Sequence, residues 1–463
     1  MKDYKDISGL FFIGIGGIGM SAIARYFRFA GKKVAGYDRS ESNITNALEE
    51  EGCIITFEDK IESVPEIFRN SSEKNNVLIV YTPAIPAENN IITWFRNNNY
   101  RLFKRSEILG EISLDTETLA VSGTHGKTTV STMLAHILKQ SGQGCSAFLG
   151  GISKNYDTNF LAGKSRFTVM EADEFDRSFH RLSPVMAIVT SMDADHLDIY
   201  GTHQSMIDAY NEFFARIRKG GKLVMNEKLT AMVKIPTAIQ GYTYGFNESS
   251  DFRAFNIVQE GDSFRFDLKA EGSVIKDIVF PFPGKVNVEN AVAASSVALM
   301  CGVTSSELKT GLLTFCGVQR RFDIRISRPG LVYIDDYAHH PEEIRACITS
   351  VKEYWGGRKI TGIFQPHLFS RTRDHAEGFA RILDTLDEVI LLPVYPAREK
   401  PVAGVSSSLI LEKMRNSNKR LLNKEDIPSK LDIQNIDVLL TIGAGDIDRL
   451  VKPIEEALNS IRK

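Results

Sequence analysis

The sequence contains few cysteines, and their arrangement excludes one class of protein. The five cysteines among 463 residues are scattered, are odd in number and form no C-x-x-C pair; they are Cys53, Cys145, Cys301, Cys316 and Cys347. Because a disulfide framework needs paired cysteines, this pattern favours small buried hydrophobic side chains in a reducing, cytoplasmic setting.

The sequence also lacks a long apolar run and an excess of charge of either sign. No stretch of about 18 apolar residues occurs, so no membrane span is expected. The formal net charge of −2 gives no reason to expect a nucleic-acid or anionic-membrane partner. Lys2 and Lys5 precede an apolar run, as in a secretion signal, but four glycines within residues 14–19 and then Arg25 interrupt it. We therefore expect a soluble globular chain of two or three domains.

A glycine loop between an apolar run and a helical pattern is the central feature of the sequence. Residues Leu119–Val121 predict a strand, and the apolar spacing from Met133 to Leu138 predicts a helix. The loop between them reads Gly123-Thr-His-Gly-Lys-Thr-Thr129. A turn of this kind presents backbone N–H groups and the positive end of the helix dipole to a phosphate group.

Within this loop, Lys127 is expected to reach the outer phosphates of a nucleotide, and the Thr128 hydroxyl to bind Mg²⁺. The match to the standard phosphate loop is incomplete, because position 121, where the first glycine belongs, is valine. A short Gly-x-x-Gly-Lys-Thr could also be an ordinary turn between a strand and a helix. The flanking strand and helix favour nucleotide binding.

A second glycine turn lies near the N-terminus. A predicted strand over residues 10–13 leads into Gly14-x-Gly16-x-x-Gly19, and Asp38 ends the next predicted strand. Taken alone, this pattern predicts a Rossmann domain that binds NAD. The more general prediction is that a pyrophosphate lies on Gly16–Gly19 and that Asp38 meets a ribose hydroxyl. The following strand ends at Thr82 and Pro83, at the edge where α/β sheets bind ligands.

Acidic side chains follow two predicted strands of the central region. Glu171, at the end of one strand, suits a Mg²⁺ ligand, since hard cations take carboxylate oxygens. Residues 192–198 follow another strand and contain three acids and His196.

Residues 252–282 predict a small antiparallel insert. An alanine-rich helix through residue 300 follows, with Asn287 or Asn290 as its candidate cap.

A third strand–helix series begins after residue 318. Histidine and arginine side chains group at two of its predicted strand ends, within Asp336–Pro341 and Gln365–Arg373, which indicates an anion site. The fold class is therefore α/β with three domains: a Rossmann-like domain (1–107), a central P-loop-type ATPase domain (108–317) and a C-terminal Rossmann-like domain (318–463). Two phosphate turns and a third anion site suit an ATP-using enzyme that joins two substrates.

Taken jointly, in this order and spacing, the motifs resemble the Mur ligase family from end to end. They are Gly14-x-Gly16-Gly17-x-Gly19-Met20-Ser21, Gly123–Thr129, Glu171-Ala-Asp-Glu174, Asp193-Ala-Asp-His196-x-Asp198, Gln319-Arg-Arg-Phe322, Asp335-Asp-Tyr-Ala-His-His-Pro341 and Gln365-Pro-His-x-x-x-Arg-Thr-Arg-Asp374. The resemblance implies ATP-dependent ligation of L-alanine to the carboxylate of UDP-N-acetylmuramate through an acyl phosphate. ADP and phosphate are released, and the product serves peptidoglycan precursor synthesis.

The resemblance also implies the cofactor, the partners and the site residues. ATP is the co-substrate, Mg²⁺ (or Mn²⁺) is the metal, and the chain is expected to be a monomer or homodimer. The first domain would bind the UDP-sugar, the central domain ATP and the third domain the amino acid. The implied catalytic residues are Lys127, His196 and Arg321, and the implied metal ligands are Thr128, Glu171 and His196.

The implied binding residues fall into three groups. Those for ATP are Gly123, Thr124, His125, Gly126, Lys127, Thr128, Thr129, Asn290, Arg321 and Asp336. Those for the UDP-substrate are Gly16, Gly17, Ile18, Gly19, Met20, Ser21, Asp38, Thr82 and Pro83, and those for the amino acid are Tyr337, His367 and Arg371. One position departs from the family pattern, since Val286 stands where many relatives have histidine before the adenine-binding asparagine motif.

Alternative interpretations stay open at this point. His339 and His340 are either structural residues at a helix start or catalytic groups. Another family member, which attaches a preformed peptide or glutamate, is the closest alternative function, although the Gly16-Gly17-x-Gly19-Met-Ser turn favours the alanine-adding enzyme. An NAD-dependent oxidoreductase and a non-catalytic nucleotide-binding switch are two further alternatives from other classes.

Overall fold

The computed structural model describes residues 4–460 except 5, 71, 73, 87, 196, 262, 271 and 398. Within these residues, the strands form three separate sheets that follow one another along the chain, each flanked by helices. The predicted α/β class is therefore confirmed. Across the described part of the chain, no helix combines the length and the apolar character that crossing a membrane requires.

The N-terminal sheet has the strand order β3-β2-β1-β4-β5, and every neighbouring pair is parallel. Register aligns Ile13 with both Tyr37 and Tyr81, so the segments that follow β1, β2 and β4 leave the sheet at one edge. The strands are β1 (Gly9–Ile13), β2 (Lys33–Tyr37), β3 (Ile54–Thr56), β4 (Val77–Tyr81) and β5 (Leu102–Lys104). The helices are α1 (Ile18–Phe29), α2 (Asn43–Glu50), α3 (Glu66–Arg69), α4 (Asn90–Asn97) and α5 (Arg105–Asp115).

The central sheet has the order β15-β14-β13-β12-β11-β10-β6-β9-β7-β8. Its strands are β6 (Glu117–Ser122), β7 (Ser146–Ser153), β8 (Thr158–Leu161), β9 (Phe167–Glu171), β10 (Met186–Val189), β11 (Lys222–Asn226), β12 (Gln240–Gly245), β13 (Phe252–Glu260), β14 (Ser263–Ala270) and β15 (Ser273–Phe280). Along the run β12-β11-β10-β6-β9-β7 of this order, each neighbouring pair is parallel. At one end of the sheet, β14 pairs antiparallel with both β13 and β15. The predicted antiparallel insert is confirmed, and it extends this same sheet.

The helices of the central region are α6 (Lys127–Gln140), α7 (Leu197–Tyr200), α8 (His203–Phe214), α9 (Lys285–Met300) and α10 (Ser305–Leu313). Because α9 begins at Lys285, Asn287 and Asn290 lie inside its first two turns. The prediction that one of these asparagines caps the helix was therefore wrong.

The C-terminal sheet has the order β16-β17-β21-β18-β19-β20, with an antiparallel pair only between β16 and β17 among its described strands. The strands are β16 (Asp323–Arg328), β17 (Leu331–Asp336), β18 (Ile360–Phe364), β19 (Glu388–Leu391), β20 (Lys419–Leu421) and β21 (Val438–Ile442). The helices are α11 (Pro341–Trp355), α12 (Phe369–Leu383), α13 (Ser408–Lys413), α14 (Ile427–Lys430) and α15 (Asp448–Ser460). Separate apolar clusters contain Phe364 and Ile363, neighbours that point to opposite faces of β18.

The chain divides into two compact units. The first contains residues 1–282 and 286–316, and the second contains residues 283–285 and 317–463. The N-terminal and central sheets thus belong to one unit, and the C-terminal sheet to the other. The domain bounds 1–107, 108–317 and 318–463 stay predictions.

Within the first unit, aromatic side chains join the N-terminal sheet region to the central sheet. The ring of Tyr26, on α1, lies 5.4 Å from Phe148 on β7 and 6.0 Å from Phe160 on β8. The Phe148 and Phe160 rings lie 5.2 Å apart, and both side chains are buried. One continuous apolar cluster therefore runs from Leu10 of β1 to Met170 of β9.

We predict that Phe160→Ala lowers the free energy of unfolding of the first unit by about 3–5 kcal/mol, because it leaves a cavity where α1 meets β8. Urea unfolding followed by tryptophan and far-ultraviolet signals measures this loss. Phe29→Ala is the matched control, since Phe29 is 55% exposed and its loss should cost about 1 kcal/mol or less. Equal losses in the two variants would contradict the packing described here.

A buried histidine holds α6 in place within the same unit. His136 is 1% exposed, and its ring nitrogens lie 2.9 Å from the Tyr156 hydroxyl and 3.0 Å from the Thr314 hydroxyl. Burial lowers the pKa of His136 to about 4. An unfolded histidine takes up its proton near pH 6.5, so acid favours the unfolded chain as the pH falls from about 6.5 towards 4.

We predict that His136→Gln reduces the loss of unfolding free energy between pH 7 and pH 5, whatever its effect on stability at pH 7. Urea midpoints at several pH values across this window measure the slope. Tyr156→Phe is the control, because it removes the hydroxyl that contacts His136 and Gln140 but keeps the titrating ring of His136, and so should retain the slope of the natural protein. A His136→Gln slope identical to that of the natural protein would refute the assignment.

Candidate functional site

The central glycine loop leaves β6 and enters α6 through two glycines with positive φ angles. Gly123 has φ +131° and Gly126 has φ +80°. A Cβ atom on Gly123 would lie 2.0 Å from the Thr190 hydroxyl oxygen, so a larger residue does not fit there. Gly126 is the N-cap of α6 and has no side chain to cap it. The first amides of the helix therefore point into the loop, as an anion site requires.

Residues at the end of β10 hold the loop in shape. The Thr190 hydroxyl donates to the carbonyl oxygens of His125 and Ser122. The His125 amide donates to the Ser191 hydroxyl at 2.8 Å, and Thr124 and Ser191 share a hydroxyl contact of 2.9 Å. The His125 ring lies 3.6 Å from the carboxylate of Asp193. Register brings these segments together, since Ser122 pairs with Val189.

Lys127 lies among acidic side chains at the end of β9. Its ammonium donates to the Gly123 carbonyl at 2.6 Å and lies 2.8 Å from the carboxylate of Glu174, which is 1% exposed. Burial alone lowers the pKa of Lys127, but the charges of Glu174, Asp173 and Glu171 raise it above its ordinary value. Burial raises the pKa of Glu174 against the opposing effect of Lys127. At neutral pH the lysine is therefore charged and directed along the loop.

Two side chains whose oxygen atoms suit a metal ion lie together near Lys127. The Thr128 hydroxyl donates to the Glu171 carboxylate at 3.2 Å, and a Cβ on Gly150 would lie 2.2 Å from that carboxylate. One carboxylate and one hydroxyl fit Mg²⁺, which is often held by one or two protein oxygens together with phosphate oxygens and water. No group of three or more His, Cys, Asp or Glu side chains arranged for a metal occurs among the described residues. His196, the third predicted ligand, lies outside them.

Asn290 lies against the same loop. A Cβ on Gly126 would stand 3.0 Å from its amide oxygen, and its amide nitrogen donates to Asn287 at 3.3 Å. Asn290 is buried, whereas Val286, one turn earlier on α9, is 48% exposed. The structure therefore brings the predicted residues Gly123–Thr129, Glu171 and Asn290 together in one place.

The N-terminal glycine turn is closed by Asp38. This carboxylate accepts hydrogen bonds from the amides of Gly16 and Arg39, both at 2.7 Å. Gly14 has φ +89°, and a Cβ there would lie 2.8 Å from Thr82. Asp38, Thr82 and the turn thus share one edge of the sheet, as predicted. Pro83 lies beside them and is exposed.

Two predicted residues of this turn face the protein interior. The side chain of Met20 is 2% exposed and that of Ser21 is 0% exposed. The Ser21 hydroxyl donates to the Ile18 carbonyl and accepts from Asn159 at 2.9 Å. The exposed surface of the turn is therefore the backbone of residues 17–19, and α1 begins there with glycine as its N-cap.

In the second unit, the ring of Tyr337 faces two arginines. The guanidinium carbons of Arg320 and Arg321 lie 5.2 and 5.0 Å from its centroid. Arg320 also binds Asp335 at 3.2 Å, and Asp335 is 0% exposed. Asp336 accepts from the amides of Phe322 and Ala338 at 2.6 and 2.7 Å. Burial raises the pKa of Asp336 to about 6, although Arg321 lowers it.

Three aromatic rings continue this cluster across the strand ends. His367 stacks on Tyr395 with centroids 5.8 Å apart and meets His339 edge to face at 5.8 Å. Burial lowers the pKa of His339, the charge of Glu343 opposes this shift, and the positive charge of Arg371 acts in the same direction as burial. The predicted residues Tyr337 and His367 both contact the His339 ring, and the predicted Arg371 lies in the first turn of α12, shortly after His367. His340 is the N-cap of α11, at the helix start that its structural interpretation requires.

Several residues of these sites were missed or left without a role by reasoning from the sequence. Glu174 belongs to one of the family motifs, but the motif does not reveal its ion pair with Lys127, which lies 47 positions away in the chain. Thr190 and Ser191 end a predicted strand, which was the available signal. Arg105 carried no signal in the sequence; in the structure it follows β5 and lies over Gly19.

Comparisons with known proteins give consistent results along the whole chain. Three family models match: Mur ligase family, catalytic domain (residues 10–116), Mur ligase middle domain (121–298) and Mur ligase, glutamate ligase domain (320–445). The UDP-N-acetylmuramate–L-alanine ligase of Parabacteroides distasonis is 47% identical over 100% of both chains. The enzyme of the same name from Porphyromonas gingivalis strain W83 is 48% identical over 98% of this chain and 99% of its own.

A solved structure agrees with these relatives. The crystal structure of UDP-N-acetylmuramate–alanine ligase MurC from Thermotoga maritima superposes with a TM-score of 0.81 at 26% identity. The match covers 98% of this chain and 99% of that one.

We predict that Gly123→Ala weakens ADP binding by about 10- to 100-fold, because the new methyl group collides with Thr190 and displaces the loop amides. Isothermal titration calorimetry measures this change. Gly220→Ala is the matched control: it has φ +78° but no described atom within 4 Å of the added carbon. Gly220→Ala therefore introduces backbone strain without a collision and should leave ADP binding unchanged. Similar losses of ADP binding in both variants would argue against the collision with Thr190.

Proposed function

The chain belongs to the Mur ligase family, and we propose that it is the ligase that joins L-alanine to the carboxylate of UDP-N-acetylmuramate, with cleavage of ATP to ADP and phosphate. The observation that carries this proposal is the match over the full length to relatives of that name at 47% and 48% identity. The product is a precursor of peptidoglycan. The reaction belongs to the cytoplasm, where ATP and the reduced thiols of the chain are maintained.

The reaction proceeds in two steps, a phosphoryl transfer followed by an acyl transfer. The muramyl carboxylate attacks the γ-phosphorus of ATP, the bond to the bridging oxygen breaks, and an acyl phosphate and ADP result. The alanine amine then attacks the acyl carbon, loses a proton, and inorganic phosphate leaves with the electron pair of the broken C–O bond. Both steps depend on alignment and on neutralisation of oxygen charge more than on a nucleophilic side chain.

On the ATP side, the loop from Gly123 to Thr129 would bind the phosphates through its amides, and Lys127 would neutralise their outer charge. Thr128 and Glu171 would hold Mg²⁺ or Mn²⁺, with His196 as the further proposed ligand. This metal supplies Lewis-acid polarisation of the phosphate oxygens when bound. Asn290, which lies against Gly126, would contact the adenine.

On the UDP-sugar side, the turn formed by Gly16, Gly17, Ile18 and Gly19 would bind the pyrophosphate of the UDP-sugar through its backbone. The side chains of Met20 and Ser21 are buried beneath this turn, so we propose that these two residues act in binding through their backbone atoms. Because the Asp38 carboxylate already accepts two backbone amides, its main effect is to shape the turn. Thr82 and Pro83 complete the same edge.

For the amino acid, we propose that the guanidinium of Arg371 pairs with the carboxylate of L-alanine, since arginine binds carboxylates through two parallel hydrogen bonds. Tyr337 and His367 would form the walls around its small side chain. Arg321 would bind the γ-phosphate, and Asp336 would act in the ribose region by fixing the backbone of residues 322 and 338.

We predict phosphate release from ATP and Mg²⁺ with UDP-N-acetylmuramate and L-alanine, and none with D-glutamate or the peptide L-Ala-γ-D-Glu-meso-diaminopimelate. A coupled phosphate assay, with mass spectrometry of the product, measures this. Lys127→Met should lower turnover about 10²- to 10³-fold by removing charge from the developing phosphoryl transition state.

Lys139→Met is the matched control for this variant, because Lys139 is an exposed lysine on the same helix, bound to the Ala162 carbonyl. It should retain normal turnover. Turnover with the tripeptide alone would move the chain to the peptide-attaching branch of the family. Absence of turnover with every acceptor would refute the proposed activity.

A further inference from the structure

Arg105 lies directly over the N-terminal glycine turn. It is the first residue of α5, more than 80 positions along the chain from that turn. Its Nη1, Cδ and Cζ atoms lie 2.2, 3.1 and 3.2 Å from the point that a Cβ on Gly19 would occupy. The guanidinium therefore takes the space that any side chain at position 19 would need, and it covers the first turn of α1.

The groups around this guanidinium form an incomplete anion site. Gly17, the N-cap of α1, has no side chain to accept a helix amide, and the first turn of α1 carries no acidic residue. Asp38 accepts the Gly16 amide, but the amides of residues 18 and 19 lie at the open start of the helix, where no earlier turn supplies carbonyl acceptors. A helix start with an arginine beside it presents donors and positive charge from two elements at once.

Asp173 holds Arg105 in this position. The Arg105 Nη2 atom donates to the Asp173 carboxylate at 3.3 Å, and the two side chains are 27% and 36% exposed. The other oxygen of Asp173 accepts the Phe175 amide at 3.0 Å. A partly exposed single ion pair of this length contributes little to stability, so the pair orients the guanidinium more than it strengthens the fold.

Asp173 also belongs to the acidic group around Lys127. Its charge raises the pKa of that lysine, and it lies in the segment between Glu171 and Glu174. The same carboxylate thus pairs with Arg105 at the N-terminal glycine turn and adds negative charge near Lys127 at the central loop.

We propose that Arg105 is a substrate-binding residue whose guanidinium contacts the diphosphate of the UDP-sugar on the Gly16–Gly19 turn, with Asp173 as its positioning residue. This inference rests on the proposed function for the identity of the ligand. Through Asp173, the diphosphate-binding arginine is connected to the acidic strand end that serves the ATP loop.

The test compares ligands that differ only in the diphosphate. Dissociation constants of UDP and of uridine are measured by NMR and calorimetry for the full-length protein and for Arg105→Gln, Arg105→Lys and Asp173→Asn. Arg105→Gln should weaken UDP binding by about 10- to 100-fold, because it removes a charge-assisted contact, and leave uridine binding unchanged. The UDP affinity of Arg105→Lys should lie between those of the natural protein and Arg105→Gln, because the lysine ammonium keeps the positive charge but lacks the planar guanidinium.

Asp173→Asn should weaken UDP binding less than Arg105→Gln does, because the guanidinium remains and only its orienting partner is lost. In the ligation assay, Arg105→Gln should raise the KM for UDP-N-acetylmuramate and leave the KM for L-alanine unchanged. A protein in which Arg105 only braces the fold would lose affinity for UDP and uridine equally, or for neither, and either result overturns the proposal. If Arg105→Gln fails to fold, the Arg105→Lys and Asp173→Asn comparisons decide it.

The outcomes separate this inference from the proposed function. Ligation of L-alanine by the natural protein together with unchanged UDP binding in Arg105→Gln would refute the role of Arg105 alone. Arginine-dependent UDP binding without any ligation would refute the proposed activity and leave the diphosphate site in place.

Discussion

The ion pair between Lys127 and Glu174 is the interaction on which the central site depends. A carboxylate as deeply buried as Glu174 is costly without a cation beside it, and Lys127 supplies that cation while facing Asp173 and Glu171 as well. The same lysine donates to the Gly123 carbonyl, so the loop, the helix start and the end of β9 are joined at one ammonium group. The shape of the loop and its charge are therefore set together.

The parts of this site that the sequence predicted are those with a local signature. Lys127 and Thr128 follow a glycine turn between an apolar run and a helical pattern, and Glu171 ends an apolar run, so each could be assigned a place at a sheet edge. The parts it did not predict depend on contacts between distant positions. Thr190 meets His125 across 65 positions and Arg105 meets Asp173 across 68, and no pattern within one segment reveals such a pair.

The backbone explains one wrong prediction and adds a structural role to another predicted residue. The asparagines of α9 were expected at its cap, but the helix starts earlier, at Lys285, so they project from its body and one of them reaches Gly126. Asp38 was expected at a ribose hydroxyl on the strength of a dinucleotide pattern. In the structure its two oxygens accept backbone amides, which shows that an acid at this position can serve the turn itself.

The aromatic contact of Tyr26 with Phe148 and Phe160 also bears on how the chain can be divided. An N-terminal fragment ending near residue 107 would expose Tyr26 on one side of the cut and the two phenylalanines on the other, although sheet topology alone makes that fragment look complete. The second unit has apolar clusters on both faces of its own sheet. Autonomous folding therefore follows the course of the apolar core, and the natural place to separate the polypeptide is the connection after Cys316.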